Sequence, residues 1–82
     1  MDKRVNIGIY RILRKLGVTR EYIKPEAQFK NDLFFDDIDW NFFMFFIESK
    51  FRITIPKEEE VKVQTIENSI NIVNKHLHEY LK

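Results

Sequence analysis

Three stretches of the chain repeat apolar residues at helical spacing. In the first, Val5, Ile9, Ile12, Leu13 and Leu16 share one side, while Lys3, Arg4, Arg11, Arg14 and Lys15 take the other. That pattern predicts an amphipathic helix from about residue 3 to Leu16. Gly17 then stands where a residue of positive φ commonly ends a helix. The run KPEAQFKND, with Pro25 at its head, argues against another long helix before position 36. Val18, Ile23, Phe29 and Leu33 are the expected anchors of this loop to the core.

The second helix is predicted to open inside the stretch FFDDIDW, residues 34–40. Asp36 as N-cap puts Asp39 at the third helical position, a carboxylate version of the capping box, with three acids at the positive end of the helix dipole. Phe43, Met44, Ile47 and Phe51 form a stripe, but Phe42, Phe45 and Phe46 fall between those positions. This helix is therefore apolar nearly all round and is expected to be covered on several sides. RITIP, from Arg52 to Pro56, alternates, is β-branched and closes in proline, so the helix should end near Phe51.

Lys57 to Val63 fits a short third helix, with Pro56 and three glutamates at its start. Thr65 can cap a last helix, whose Ile66, Ile70, Val73, Leu77 and Leu81 recur at spacings of three and four. The expected architecture is all-α: a small up-and-down four-helix bundle with a long first loop. At 82 residues the chain should form a single domain over 1–82, because one core fills a chain of this size.

With no cysteine, disulfides and thiolate metal sites are excluded. The 44% hydrophobic and 15% aromatic content suits a packed core rather than disorder. No stretch approaches the ~20 apolar residues of a membrane span, and the amino terminus lacks the pattern of a leader, so a cytoplasmic protein is expected. The net charge of +1 hides two blocks. Residues 1–30 carry eight Lys/Arg against three Asp/Glu, and residues 31–60 carry three against eight. Such blocks either steer a partner or a neighbouring copy, or are two solvated helix faces.

From Leu16 to Leu77 the chain resembles the acyl carrier proteins without needing a gap. The shared landmarks are LGV closing the first helix, a Phe followed by NDL, a D-x-[LI]-D motif opening the second helix, and E-x-x-F ending it. I-x-I-P and T-[IV] follow in order. The resemblance implies a right-handed four-helix bundle with a short third helix. It also implies a site, since in that family an Asp-Ser-Leu motif presents a serine that takes a 4′-phosphopantetheine arm carrying the acyl chain. Here the motif is Asp36-Asp37-Ile38, with Asp37 at the serine's place.

A serine hydroxyl activated by a base can form a stable phosphodiester, whereas a carboxylate could give only a mixed anhydride that hydrolyses. Asp37 is therefore expected to be unmodified, and no cofactor is expected. Ser49 and Ser69, the only serines, map inside helices and lack the helix-start context. An engineered replacement of serine would also give Asp37, but Phe34, Phe35 and Phe42 depart from the family as well, which favours divergence of the whole site. In the family the second helix is an acidic docking surface for synthases and transferases. Here Asp36, Asp37, Asp39 and Glu48 keep part of that charge, while Lys50 and Arg52 reverse it.

Two functions remain open. One is a binding module without the arm, not itself an enzyme, docking on an enzyme or regulator of acyl, fatty-acid or polyketide metabolism. It would do so through Phe34, Phe35, Asp36, Asp37, Asp39, Trp40, Phe42 and Glu48. The other is an acyl carrier or acyl-ligand binder that works without covalent phosphopantetheine at Asp37. Core filling is the plain alternative for Phe34, Phe35 and Phe42. A monomer is expected. No metal site is expected either, since His76 and His78, two apart, point to different sides of a helix. The basic stripe of Arg4, Arg11, Arg14 and Lys15 is opposed by the acidic middle, so nucleic acid is not the expected partner.

Overall fold

The computed structural model describes residues 3–80, with side chains through Leu77. Helix α1 spans Lys3–Lys15, a 3-10 turn covers Arg20–Tyr22, α2 spans Asp37–Phe51, α3 Lys57–Glu60 and α4 Ile66–Tyr80. No strand forms among these residues, so the expected all-α bundle is the fold. No described helix is long and apolar enough to cross a membrane.

The first helix ends as its sequence requires. Gly17 has φ 95. Its N–H donates to the Arg14 carbonyl at 3.0 Å, and the Val18 N–H donates to the Leu13 carbonyl at 3.0 Å. These paired bonds satisfy carbonyls that the helix end would otherwise leave open. The loop that follows is held by its predicted anchors, with Phe29 buried and Val18, Ile23 and Leu33 packed against the core.

That loop also closes the start of α4. The Phe29 N–H donates to the Gln64 carbonyl at 2.9 Å, the Ile66 N–H to the Ala27 carbonyl at 3.0 Å, and the Glu67 N–H to the Pro25 carbonyl at 2.9 Å. Two donors in the first turn of α4 thus find partners in the first loop, far beyond the reach of any local cap. Thr65 caps the helix from its own side: the Asn68 N–H donates to Thr65 Oγ1, and the Thr65 N–H donates to Asn68 Oδ1, both at 3.1 Å.

The core lies where α1, α2 and α4 meet, with Val5, Ile9, Leu13, Phe43, Ile47 and Val73 fully buried. Gly8 lets α1 and α2 approach closely, since a Cβ there would lie 2.7 Å from the Phe51 ring. Arg52 to Pro56 alternates as predicted, with Ile53 and Ile55 buried and Thr54 exposed.

Two expectations are corrected. The third helix is one turn, not seven residues. After Glu60 the Lys62 and Val63 N–H groups bond three residues back, to Glu59 and Glu60, which tightens the chain and delivers Gln64 to Phe29. And α2 is not covered on several sides: Ile38, Phe42 and Phe45 are 65%, 51% and 62% exposed. Leu81 lies outside the described residues.

Phe43, fully buried, touches Phe29, Phe35 and Trp40 at ring separations of 4.7, 6.1 and 5.6 Å. Phe43→Ala should cost about 3–5 kcal/mol, a large share of a small domain's stability. Urea unfolding followed by the emission of Trp40, the single tryptophan, measures it.

Candidate functional site

The start of α2 is built from its acids. The Asp39 N–H donates to Asp36 Oδ1 at 2.8 Å, and the Asp36 N–H donates to Asp39 Oδ2 at 3.2 Å, so the predicted reciprocal cap is present. The bond from the Asp39 N–H is the main cause holding the Asp36 carboxyl below its ordinary value, against a smaller opposing effect of desolvation. Asp37 is the first helical residue and is exposed.

Phe34, three residues upstream of Asp37, has φ 58 and is 79% exposed. A bulky side chain in the left-handed region is uncommon and strained. The position is held by its neighbours: the Leu33 N–H donates to the Gln28 carbonyl at 3.0 Å, and the Phe35 N–H to the Phe29 carbonyl at 2.9 Å. Phe35 turns inward, its ring 5.4 Å from Phe29. The three upstream phenylalanines therefore separate, with Phe29 in the core, Phe35 half-buried and Phe34 in solvent.

Trp40 and Glu48 are partly structural. The Trp40 ring meets Phe29 edge-on at 5.1 Å, and its Nε1–H donates to Glu60 Oε2 at 2.9 Å. Glu48 Oε2 accepts from the Ile55 N–H at 2.8 Å, which ties the end of α2 to the segment after it. Phe42 faces solvent and stacks on Phe46 at 6.2 Å and 20°. Of the eight residues singled out from the sequence, Phe34, Asp36, Asp37 and Phe42 are exposed, and Phe35, Asp39, Trp40 and Glu48 are half-buried.

An open cleft of about 570 Å³ lies beside Asp37, with Phe29, Phe35, Trp40, Glu60 and Val61 in its walls. Sequence reasoning missed this role of α3. Its glutamates are more than a charged first turn: Glu60 anchors Trp40, and Glu59 Oε1 meets Lys75 Nζ at 3.3 Å and His76 Nε2 at 3.1 Å. Burial opposes ionisation of Glu59, but the hydrogen bonds from His76 and Lys75 outweigh it and hold the carboxyl below its ordinary value. His76 is thus engaged with α3, and the His78 side chain lies outside the described residues. No cluster of three metal-ligating side chains occurs among the described residues. Ser69 is buried, with its hydroxyl donating to the Ile66 carbonyl at 2.6 Å.

No protein-family model matches the chain. Individual relatives do. The acyl carrier proteins of Chlorobium phaeobacteroides and Chlorobium phaeovibrioides are each 34% identical to it over 64 residues, which is 78% of this chain and 82% of theirs. The chain belongs to the acyl carrier protein family. The crystal structure of an acyl carrier protein from Thermotoga maritima superposes with a TM-score of 0.76 at 32% identity, covering 95% of this chain and 91% of that one.

At Asp37, which the resemblance equates with the family's modified serine, the side chain does not suit a phosphopantetheine ester. Asp37 offers a carboxylate that accepts hydrogen bonds and has no hydroxyl to esterify. The exposed Ser49 lies near the far end of α2.

Two predictions test this geometry. Phe34→Gly should raise stability by about 1 kcal/mol, because glycine adopts a positive φ without steric cost; chemical denaturation reads it. Asp36→Ala should lower the melting temperature by a few degrees at neutral pH. Since the folded-state pKa of Asp36 lies below its unfolded value, the stabilisation is present above the unfolded pKa and is lost as pH falls through the folded one. The stability gap between native and variant should therefore close in acid, below about pH 4.

Proposed function

We propose that this acyl carrier protein relative lacks the phosphopantetheine arm and works as a docking module, without enzymatic activity of its own. Its partner is an enzyme or regulator of acyl, fatty-acid or polyketide metabolism, and it acts in the cytoplasm. The observation that carries this reading is Asp37, exposed in the first turn of α2 on an otherwise intact carrier framework. Supporting it, Phe34, three residues upstream, keeps a large apolar ring in solvent on a strained backbone. Strain and exposed apolar surface cost stability, and their persistence points to use.

The docking surface comprises the exposed Phe34, Asp36, Asp37 and Phe42. Asp39 holds the cap from behind, and Phe35, Trp40 and Glu48 set the backbone that presents the others. A partner built to hold an ordinary acidic carrier helix would meet fewer charges and more rings here.

The cleft beside Asp37 favours one second reading, in which an acyl ligand binds noncovalently against Phe29, Phe35 and Trp40. A ligand bound only by the folded state must raise the melting temperature. Absence of any shift at saturating fatty acid or acyl-coenzyme A would remove this reading.

The main reading is tested by intact-mass spectrometry after coexpression with a phosphopantetheinyl transferase. The native chain should show no added ~340 Da, the formula mass of the arm. Asp37→Ser should acquire it if the surrounding helix start still fits the transferase. An arm on the native chain would sink the proposal.

A further inference from the structure

A second cleft, of about 370 Å³, opens where α1 meets the last turns of α2. Helix α1 lines it with Gly8, Arg11, Ile12 and Lys15, the i, i+3, i+4, i+7 spacing of one helical face. Helix α2 adds Phe46, Ser49 and Lys50, again from one face. The floor is apolar, with Ile12 buried and Phe46 half-buried, and the rim is the exposed Arg11, Lys15, Ser49 and Lys50.

Three cations therefore stand around one cleft, and no acidic side chain lines it. The chain has 13 Asp and Glu against 14 Lys and Arg, so acids are not scarce. Even so, among the described residues Arg11, Lys15 and Lys50 form no ion pair. Packing brings Lys50 to this place. A Cβ at Gly8 would lie 2.8 Å from Lys50 Cε and 3.3 Å from its Cδ, so the lysine stem passes over α1 at the one helical residue without a side chain. Lys15 Nζ rests 5.1 Å from the centre of the Phe46 ring, a weak attraction at an exposed position. An anion can draw that ammonium away and leave the ring face open.

Arginine and lysine only donate hydrogen bonds, and the serine hydroxyl can donate one more. The matching ligand offers acceptors and more than one negative charge. A carboxylate would leave two of the three cations unmatched. A phosphate monoester carries roughly two negative charges at neutral pH and three acceptor oxygens, and its edge fits the fork of an arginine. A nucleic-acid backbone has a single charge on each phosphate and calls for a basic stripe, not a cleft.

We propose that the cleft between α1 and α2 binds a soluble phosphate monoester. Arg11, Lys15 and Lys50 hold the phosphate, the Ser49 hydroxyl donates to it, and the apolar part of the ligand lies against Phe46 and Ile12. The volume is that of a small ligand site, near the lower end of the usual range of about 300–1,000 Å³. Asp37 lines the other cleft, and the ester site does not rest on the docking reading: an arm found on the native chain would sink that reading and leave this site intact.

Phenyl phosphate titrated into the isotope-labelled chain at physiological ionic strength, followed by solution NMR, tests the proposal. Saturable amide shifts should gather at Gly8, Arg11, Lys15, Ser49 and Lys50, with a Kd of ~1 mM or tighter. Benzoate, with its single charge, should bind at least tenfold more weakly. Arg11→Gln combined with Lys50→Gln should weaken phenyl phosphate at least tenfold, with an unchanged circular dichroism spectrum because both residues are exposed. Ser49→Glu places a carboxylate among the cations, so it should abolish binding and raise the melting temperature. Phosphatidylcholine vesicles containing phosphatidic acid separate a lipid headgroup from a soluble ester: the chain should stay in the supernatant when they are sedimented. Shifts that fail to saturate by ~10 mM, equal binding of benzoate, native-like binding by either variant, or a chain that pellets with the vesicles while ignoring phenyl phosphate would each overturn the proposal.

Discussion

The contact between Phe29 and Phe43, with ring centroids 4.7 Å apart, is the joint on which the rest of the structure depends. Phe43 belongs to α2 and Phe29 to the long loop, and the Phe29 N–H reaches the Gln64 carbonyl just before α4. One residue thereby fixes the loop to two helices. Aromatic pairs contribute beyond the area they bury, and here they add Phe35 and Trp40 to the same cluster. The position of Asp37 follows from this: with Phe35 pinned inward and Trp40 tied to Glu60, the chain between them has only the exposed turn at the start of α2 left to it.

The same joint explains the open face of α2. A helix can meet only as many neighbours as the chain supplies, and this chain supplies α1 and α4 to the side carrying Phe43 and Ile47. The single turn of α3 is too short to reach round to Ile38, Phe42 and Phe45. An all-round apolar helix in a chain with two long partners must leave apolar surface outside, whatever its sequence order.

What could be read from the sequence was what depends on local spacing. The stripe of α1, its glycine stop, the reciprocal cap of Asp36 and Asp39, the alternation after Phe51 and the cap at Thr65 all involve residues within one or two turns of each other. What could not be read joins residues far apart in the chain or sits in the backbone. The Trp40–Glu60 bond spans twenty positions, the hold of Glu48 on Ile55 crosses a helix end, and the clasp of Phe29 on Gln64 closes a loop of thirty-five. Periodicity carries no such distances. The left-handed backbone of Phe34 could not be read either, because a side chain's identity alone does not report φ.

The acids and the rings of FFDDIDW differ in what they imply. Asp36 and Asp39 cap α2 and would be selected for stability in a protein with no partner at all, so their presence does not argue for binding. Phe34 works against stability through its backbone, and Phe42 and Phe45 place apolar surface in water without return inside one chain. Sites where a sequence breaks the rules that hold it elsewhere are where function is to be sought. By that criterion the proposed docking role rests on the exposed rings and on Asp37, which neither caps the helix nor fills the core.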